Sequence, residues 1–320
     1  MVVQDRPVLG PAALVTATAV ARRFYLDGKS KVEIAQELGL SRFKVARVLE
    51  QARAAGLVSI EIKRTSEINP ELSETVRAAF GLRHAIVVDT HDEDDQPLRR
   101  LVGRTAAALL GDLVAEGDVL GVAWGRSLRE MTAELGTLPA CTVVQLCGAL
   151  SRPDMDENSV ELTRNAARLS GGTAVTFYAP LVVSDPATAT ALRQQADVQA
   201  ASRHYDNLDV AVVAVGAWAP NQSTVYDALS AREQRALARG GACAEVSGHV
   251  LDAAGIPIAD GLTERTVNVS VRQLCAAREV VGLVYGAAKA RAARAVLTGG
   301  LVTSLVTHSS LAHALLEDAG

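Results

Sequence analysis

From residue 84 to residue 306 the chain repeats one alternation: a short run of β-branched residues, a helical stretch, then the next run. The pattern predicts strands at 84–88, 119–123, 142–146, 175–177, 210–215, 280–284 and 302–306. Helices are expected between most of them, among others at 98–113, 159–169, 231–239 and 287–297. Short strands alternating with helices argue for a doubly wound, mostly parallel α/β sheet. Ligands of such sheets sit outside the carboxyl ends of the strands. The loops that follow the strands are therefore where a function should lie.

Two of those loops carry suitable chemistry. Gly125, Arg126 and Ser127 turn the strand ending near Trp124 into a helix, which offers free backbone N–H groups, a hydroxyl and a guanidinium to an anion or a sugar hydroxyl. Tyr285 and Gly286 end another strand, and Lys289 follows in the first turn of the next helix, where it opposes the helix dipole. Trp124 and Trp218 also follow strands; packing and stacking on a sugar ring are both open to them.

The first 64 residues are of another kind. They hold 11 Lys/Arg against 6 Asp/Glu, net +5, whereas residues 65–320 hold 21 against 30, net −9. Only the N-terminal piece is suited to approach a polyanion. A first helix is expected at 12–26, ending at Asp27-Gly28. Ser30, Lys31, Val32 and Glu33 form a capping box for a second, and after Gly39 Ser41 caps a third that runs to about residue 55. Two capped helices around a glycine turn are a helix-turn-helix, and the alternating run at 57–64 falls where a winged domain carries its wing. In the third helix Val45, Val48, Leu49 and Ala52 share one face, while Arg42, Phe43, Lys44 and Arg47 crowd the other. At the start of a recognition helix, cations donate to guanine or to phosphates and an aromatic ring packs on a thymine methyl. Ser30, Lys31, Ser41, Arg42, Phe43, Lys44 and Arg47 are thus the candidate contacts to double-stranded DNA.

Three segments follow: a helix-turn-helix domain at 1–64, a polar linker TSEINP at 65–70, and an α/β domain at 71–320, to which the resemblance described below assigns effector binding and oligomerisation. No apolar run approaches the ~20 residues of a membrane span and the start lacks a signal peptide, so a soluble cytoplasmic protein is expected. Cys141, Cys147, Cys243 and Cys275 form no CxxC pair and suit small core positions in a reducing compartment. The six histidines are scattered, and the acidic run 92–95 reads as a solvated loop; no metal or cofactor is expected. There is no GxGxxG or Walker sequence. Gly125-Arg126-Ser127-Leu128-Arg129 departs from a nucleophile elbow, since Arg129 replaces the second glycine.

Taken in order, SRFKVARVLEQARAAGLVSIEI, GDVLGVAWGRSL, VVQLCGAL, DVAVVAVGAW, GHVLDAAGIPI and VVGLVYGAAKARAARAVLTGGLVTSLVTHSSLAHALL resemble the SorC family of bacterial transcriptional regulators, within the wider DeoR-like group. The resemblance spans about residues 14 to 317. It implies a winged helix-turn-helix followed by a domain with the fold of sugar-phosphate isomerases and deaminases, a homodimer or homotetramer, and control of sugar or polyol catabolism by a small sugar-like effector. It also implies an effector pocket built from Gly125, Arg126, Ser127, Gln145, Gly148, Asp252 and Lys289. Asp252 would accept from sugar hydroxyls and Lys289 would meet a phosphate; Gln145, Gly148 and Asp252 rest on the resemblance alone. Two features depart from the family. Tyr285-Gly286 stands where two glycines are common, which would narrow the site or favour an effector without phosphate. His308 stands where an acidic residue is common and reads as a helix-cap substitution. The shared fold makes a sugar-phosphate isomerase or deaminase the rival reading. Such an enzyme needs a positioned carboxylate base with an acid partner, and no motif places a second carboxylate beside Asp252.

Overall fold

The computed structural model describes residues 9–59, 67–89, 95–150, 158–259 and 261–317. The chain divides into two compact units, 1–65 and 66–320.

Among the described residues the first unit holds three helices: α1 (Pro11–Tyr25), α2 (Lys31–Leu38) and α3 (Arg42–Ala54). The capping box closes as the sequence requires: Ser30 Oγ accepts from Glu33 N and Glu33 Oε2 accepts from Ser30 N. α2 stops at Gly39, whose left-handed φ of 62° lets Gly39 N and Leu40 N both donate to Ala35 O. Ser41 then starts α3 by accepting from Lys44 N. Ala17, Val20 and Ala21 of α1 pack on Ile34 and Ala35 of α2 and on Val45, Val48, Leu49 and Ala52 of α3. The 3.6-residue period of each helix gathers these positions on its inner face. Leu57, Val58 and Ser59 form no strand among the described residues, and the rest of the expected wing, 60–64, lies outside them.

The second unit is a sheet in the order β1-β9-β8-β5-β2-β3-β4. Its strands are β1 (His84–Val88), β2 (Val119–Val122), β3 (Thr142–Gln145), β4 (Thr173–Val175), β5 (Val210–Ala217), β6 (Ala244–Val246), β7 (His249–Leu251), β8 (Glu279–Leu283) and β9 (Ser304–His308). All pairings along that path are parallel. The expected doubly wound α/β architecture is what the chain adopts. Buried Val, Leu and Ala line both faces of the central strands, which reflects helices packed on both sides. The order runs outward from β2 to β4 and then returns to β5 on the other side of β2. That reversal between β2 and β5 opens a crevice at their carboxyl ends.

Several boundaries differ from expectation, each for a visible reason. The fourth strand ends at Val175 rather than 177, because Phe177 N donates at 3.1 Å to the Gln145 side chain and leaves the ladder. The hairpin β6–β7, antiparallel on the end of β5, was not foreseen; its strands are three residues each, too short for periodicity to register. The linker expected at 65–70 is not free at its end: Ile68 bridges to Val88, and Asn69 caps α4 (Pro70–Phe80) by accepting from Leu72 N. The helix expected at 287–297 opens as a 3-10 turn, Ala287–Lys289, before Ala290–Thr298. Cys141, Cys147 and Cys243 are buried as expected, but Cys275 is exposed. The acidic run 92–95 falls outside the described residues except for the backbone of Asp95, which opens α5 (Asp95–Leu113). No described helix is long and apolar enough to cross a membrane.

Candidate functional site

The crevice between β2 and β5 holds a cavity of about 40 Å³, lined by Trp124, Gly125, Arg126 and Ser127 after β2, by residues 214–216 and 222–224 at and after the end of β5, by Glu245 and Ser247, and by Tyr285 and Lys289 after β8. It is polar and has room for a few water-sized groups.

Its first wall is the start of α6 (Arg126–Ala133). Gly125 at the N-cap carries no side-chain cap. The opening N–H groups of any helix lack intrahelical acceptors and bear partial positive charge, so this wall is suited to an anion. Arg126 extends across the mouth and donates to the Asn221 carbonyl. Asn221 itself is held at φ 61°, its N–H donating to Asp227 at 2.9 Å.

The floor is Glu245, in the middle of β6 and buried. Gly248 N donates to its Oε1 at 2.8 Å and Ser223 Oγ to its Oε2 at 3.1 Å. Burial pushes the carboxyl above its ordinary range, while the Gly248 N–H, the Ser223 hydroxyl and the Lys289 charge pull it back. Gly216 must be glycine here, since a Cβ would stand 2.9 Å from Ser223 Cβ and 3.1 Å from the Glu245 carboxylate.

The remaining wall is cationic. Lys289 Nζ donates to Val215 O at 3.3 Å and lies 4.7 Å from the centre of the Tyr285 ring. The Arg99 guanidinium of α5 lies 5.0 Å from the same centre. Tyr285 is thus a buried ring flanked by two cations. Gly286, at φ 89°, does not line the cavity; its N–H donates at 2.9 Å to His308 Nε2. His308 stands immediately before the helix Ser309–Glu317, and this bond gives it a second task. It is a buried residue at the end of β9 that ties down the loop carrying Tyr285 and Lys289.

The structure thus brings Gly125, Arg126, Ser127, Tyr285 and Lys289 together; besides Gly286 it leaves three expected residues elsewhere. Gln145 is fully buried, and its amide is consumed by Cys147 O, Ser159 Oγ and Phe177 N. Gly148 gives room for a backbone crossing, since a Cβ would stand 2.7 Å from Ala179 O. Asp252 closes its own turn by accepting from Ala254 N and Ile256 N at 2.9 Å each. None of the three lines the cavity. Sequence reasoning missed Gln222, Ser223, Glu245 and Ser247. The one available signal was an acid inside an apolar run, Cys243-Ala244-Glu245-Val246. Trp124 lines the cavity, whereas Trp218 is a packing residue, edge-on to Tyr226 with its N–H donating to Gln234 O.

In the first unit, Arg42, Phe43, Lys44 and Arg47 share an exposed surface at the start of α3, with the Phe43 ring 86% exposed. None of the three cations is ion-paired among the described residues. Ser30 and Ser41 spend their hydroxyls on capping, and Lys31 lies over the Phe24 ring at 5.8 Å.

Residues 66–317 match the family model described as a putative sugar-binding domain. The chain is 29% identical to the transcriptional regulator LsrR of Klebsiella pneumoniae over 93% of this chain and 91% of that one. It is 24% identical to the sorbitol operon regulator of Klebsiella pneumoniae, over 93% and 96%. The crystal structure of full-length sorbitol operon regulator SorC from Klebsiella pneumoniae superposes with a TM-score of 0.74 at 23% identity, covering 96% of this chain and 100% of that one.

Proposed function

We propose, from the premise that this chain belongs to the SorC family of bacterial transcriptional regulators, that the cavity between β2 and β5 binds the phosphate ester of a sugar or polyol, and that this binding sets the affinity of α3 for an operator. The observation that carries the reading is the convergence of the uncapped α6 start, Arg126 and Lys289 on one small polar cavity. A phosphate there meets backbone N–H groups, the Ser127 hydroxyl and two cations. Its sugar portion then faces Glu245 and the turn residues opposite. A free sugar or polyol is the second reading. It is favoured by the place of Glu245 at the cavity, since a buried carboxyl bonds to hydroxyls and, once ionised, repels a phosphate.

The first unit binds double-stranded DNA by entering the major groove with the start of α3. Arg42, Lys44 and Arg47 donate to phosphates or guanine edges, and Phe43 packs on a thymine methyl. Two copies on a two-fold operator need a homodimer or homotetramer. An effector that favours one subunit arrangement changes operator affinity by roughly 5- to 150-fold for a coupling of ~1 to 3 kcal/mol. The rival, an isomerase or deaminase, is less well supported, because among the described residues Glu245 is the single carboxylate lining the cavity and has no acidic partner there.

A thermal-shift comparison of paired sugars, polyols and their phosphates tests the reading, since a ligand that binds only the folded chain raises its apparent stability. A shift with phosphorylated members is the expected result. A shift with free sugars alone would replace the phosphate assignment by the neutral one.

A further inference from the structure

Among the described residues only two other than glycine hold a left-handed backbone: Asn221 at φ 61° and Ser247 at φ 51°. Both stand at the cavity. Asn221 immediately precedes Gln222, and Ser247 lines the cavity from the two-residue turn between β6 and β7. Left-handed backbone costs a residue with a Cβ roughly 1 to 2 kcal/mol, and glycine would relieve it. Such strain gathers where a side chain is needed for function. A second, independent observation concerns their polar atoms. Ser247 Oγ and Gln222 Oε1 are both buried without a hydrogen-bond partner among the described residues, and Ser247 is only 7% exposed. Buried polar atoms are normally satisfied. The neighbours of this pair are not at fault: Ser247 O accepts from Asn268 at 2.7 Å, and Ser223 and Glu245 beside them are bonded to each other.

We propose that Ser247 and Gln222 are the residues by which the cavity selects its ligand, reading adjacent hydroxyl groups on a polyol chain whose phosphate sits at the start of α6. The inference rests on the effector reading above. Gln222 Oε1 accepts from one hydroxyl; Ser247 Oγ both donates to and accepts from its neighbour. The Glu245 carboxylate, already occupied by Gly248 N and Ser223 Oγ, positions this edge. The strain at Ser247 is what keeps its hydroxyl turned to the cavity floor.

The test uses calorimetric titration of the full chain with inorganic phosphate and with glycerol 3-phosphate, ribose 5-phosphate and sorbitol 6-phosphate, together with the variants Ser247→Gly and Gln222→Met. The wild-type chain is expected to bind at least one polyol phosphate about tenfold or more tighter than inorganic phosphate, as two hydroxyl contacts allow. Each variant should lose about fivefold of that excess and keep its affinity for inorganic phosphate. Ser247→Gly should also melt higher than wild type, because the strain is gone, so its lost affinity cannot come from a damaged fold. Unchanged excess in both variants overturns the assignment, as does a wild-type chain that binds all four probes equally. Binding of no probe at all overturns the phosphate reading beneath it, a result distinguishable from the other two.

Discussion

The two candidate sites are assembled in opposite ways. The surface proposed to face DNA is a single turn and a half of one helix: Arg42, Phe43, Lys44 and Arg47 stand on its solvent side while Val45, Val48 and Leu49 hold it from beneath. The cavity proposed for the effector takes its walls from four places far apart in sequence, the loops after β2, β5 and β8 and the β6–β7 hairpin. One site needs only a helical period and a cap to exist. The other exists only when the whole sheet has closed, and its chemistry depends on which backbone turns happen to face one another.

The substitution expected to separate them most sharply is Lys289→Ala. It deletes a cation that a phosphate would meet, so affinity for phosphate should fall by ~1.5 to 3 kcal/mol, about 10- to 150-fold. Operator affinity without effector should stay as it was, read by fluorescence anisotropy on labelled DNA. Loss of both activities would mean that Lys289 holds the loop together through Tyr285 rather than serving the ligand. The reciprocal change, Arg47→Ala, should cost ~1 to 3 kcal/mol of operator binding if the guanidinium reads a base, and leave effector binding untouched. An unaltered operator affinity would move the reading face away from Arg47.

The same contrast explains how far the sequence could be read. Periodicity gave α3, its buried face and its Ser41 cap, because each follows from residues within one helical turn of each other. The parallel sheet was legible too, since buried strands leave β-branched runs. Gly125, Arg126, Ser127 and Lys289 were legible as loop residues after strands. Glu245, Ser247 and Gln222 were not: a three-residue hairpin strand has too few positions to show alternation, and Ser247 reaches the cavity through a backbone conformation that no side-chain pattern encodes. Asp252 fails for the complementary reason. A carboxylate in a turn satisfies its own backbone first, and its short reach to Ala254 N and Ile256 N leaves it outside the cavity. His308 was discounted as a cap, yet its role depends on a partner 22 residues away in sequence, Gly286.

Acidity should distinguish the sites as well. Burial raises the Glu245 carboxyl above its unfolded value, so its neutral form supports the fold below the unfolded pKa and that support is lost as pH rises through the folded pKa. The ligand feels the same change: an arriving phosphate meets a neutral neighbour at low pH and an anion at high pH. The Glu245→Gln variant should therefore bind inorganic phosphate more tightly than wild type, with the ratio growing as pH rises and reaching about tenfold, the equivalent of one pKa unit of interaction. Operator binding by the two chains should follow identical pH curves. A ratio that does not change with pH would place Glu245 in a purely structural role.

The smallest expected effect probes the helix that carries the DNA-facing surface. Ser41→Ala removes the hydroxyl that accepts from Lys44 N at 3.2 Å, a loss worth about 1 kcal/mol at a helix start. If the first unit opens on its own, amide hydrogen exchange in α3 should speed up roughly fivefold while the amides of β8 exchange as before. If β8 accelerates equally, the two units unfold as one, and the cap then stabilises the effector cavity as much as the DNA-facing helix. Local opening of α3 alone would instead mean that the recognition surface is tuned by a few residues of its own, which is what a site contained within one helix should allow.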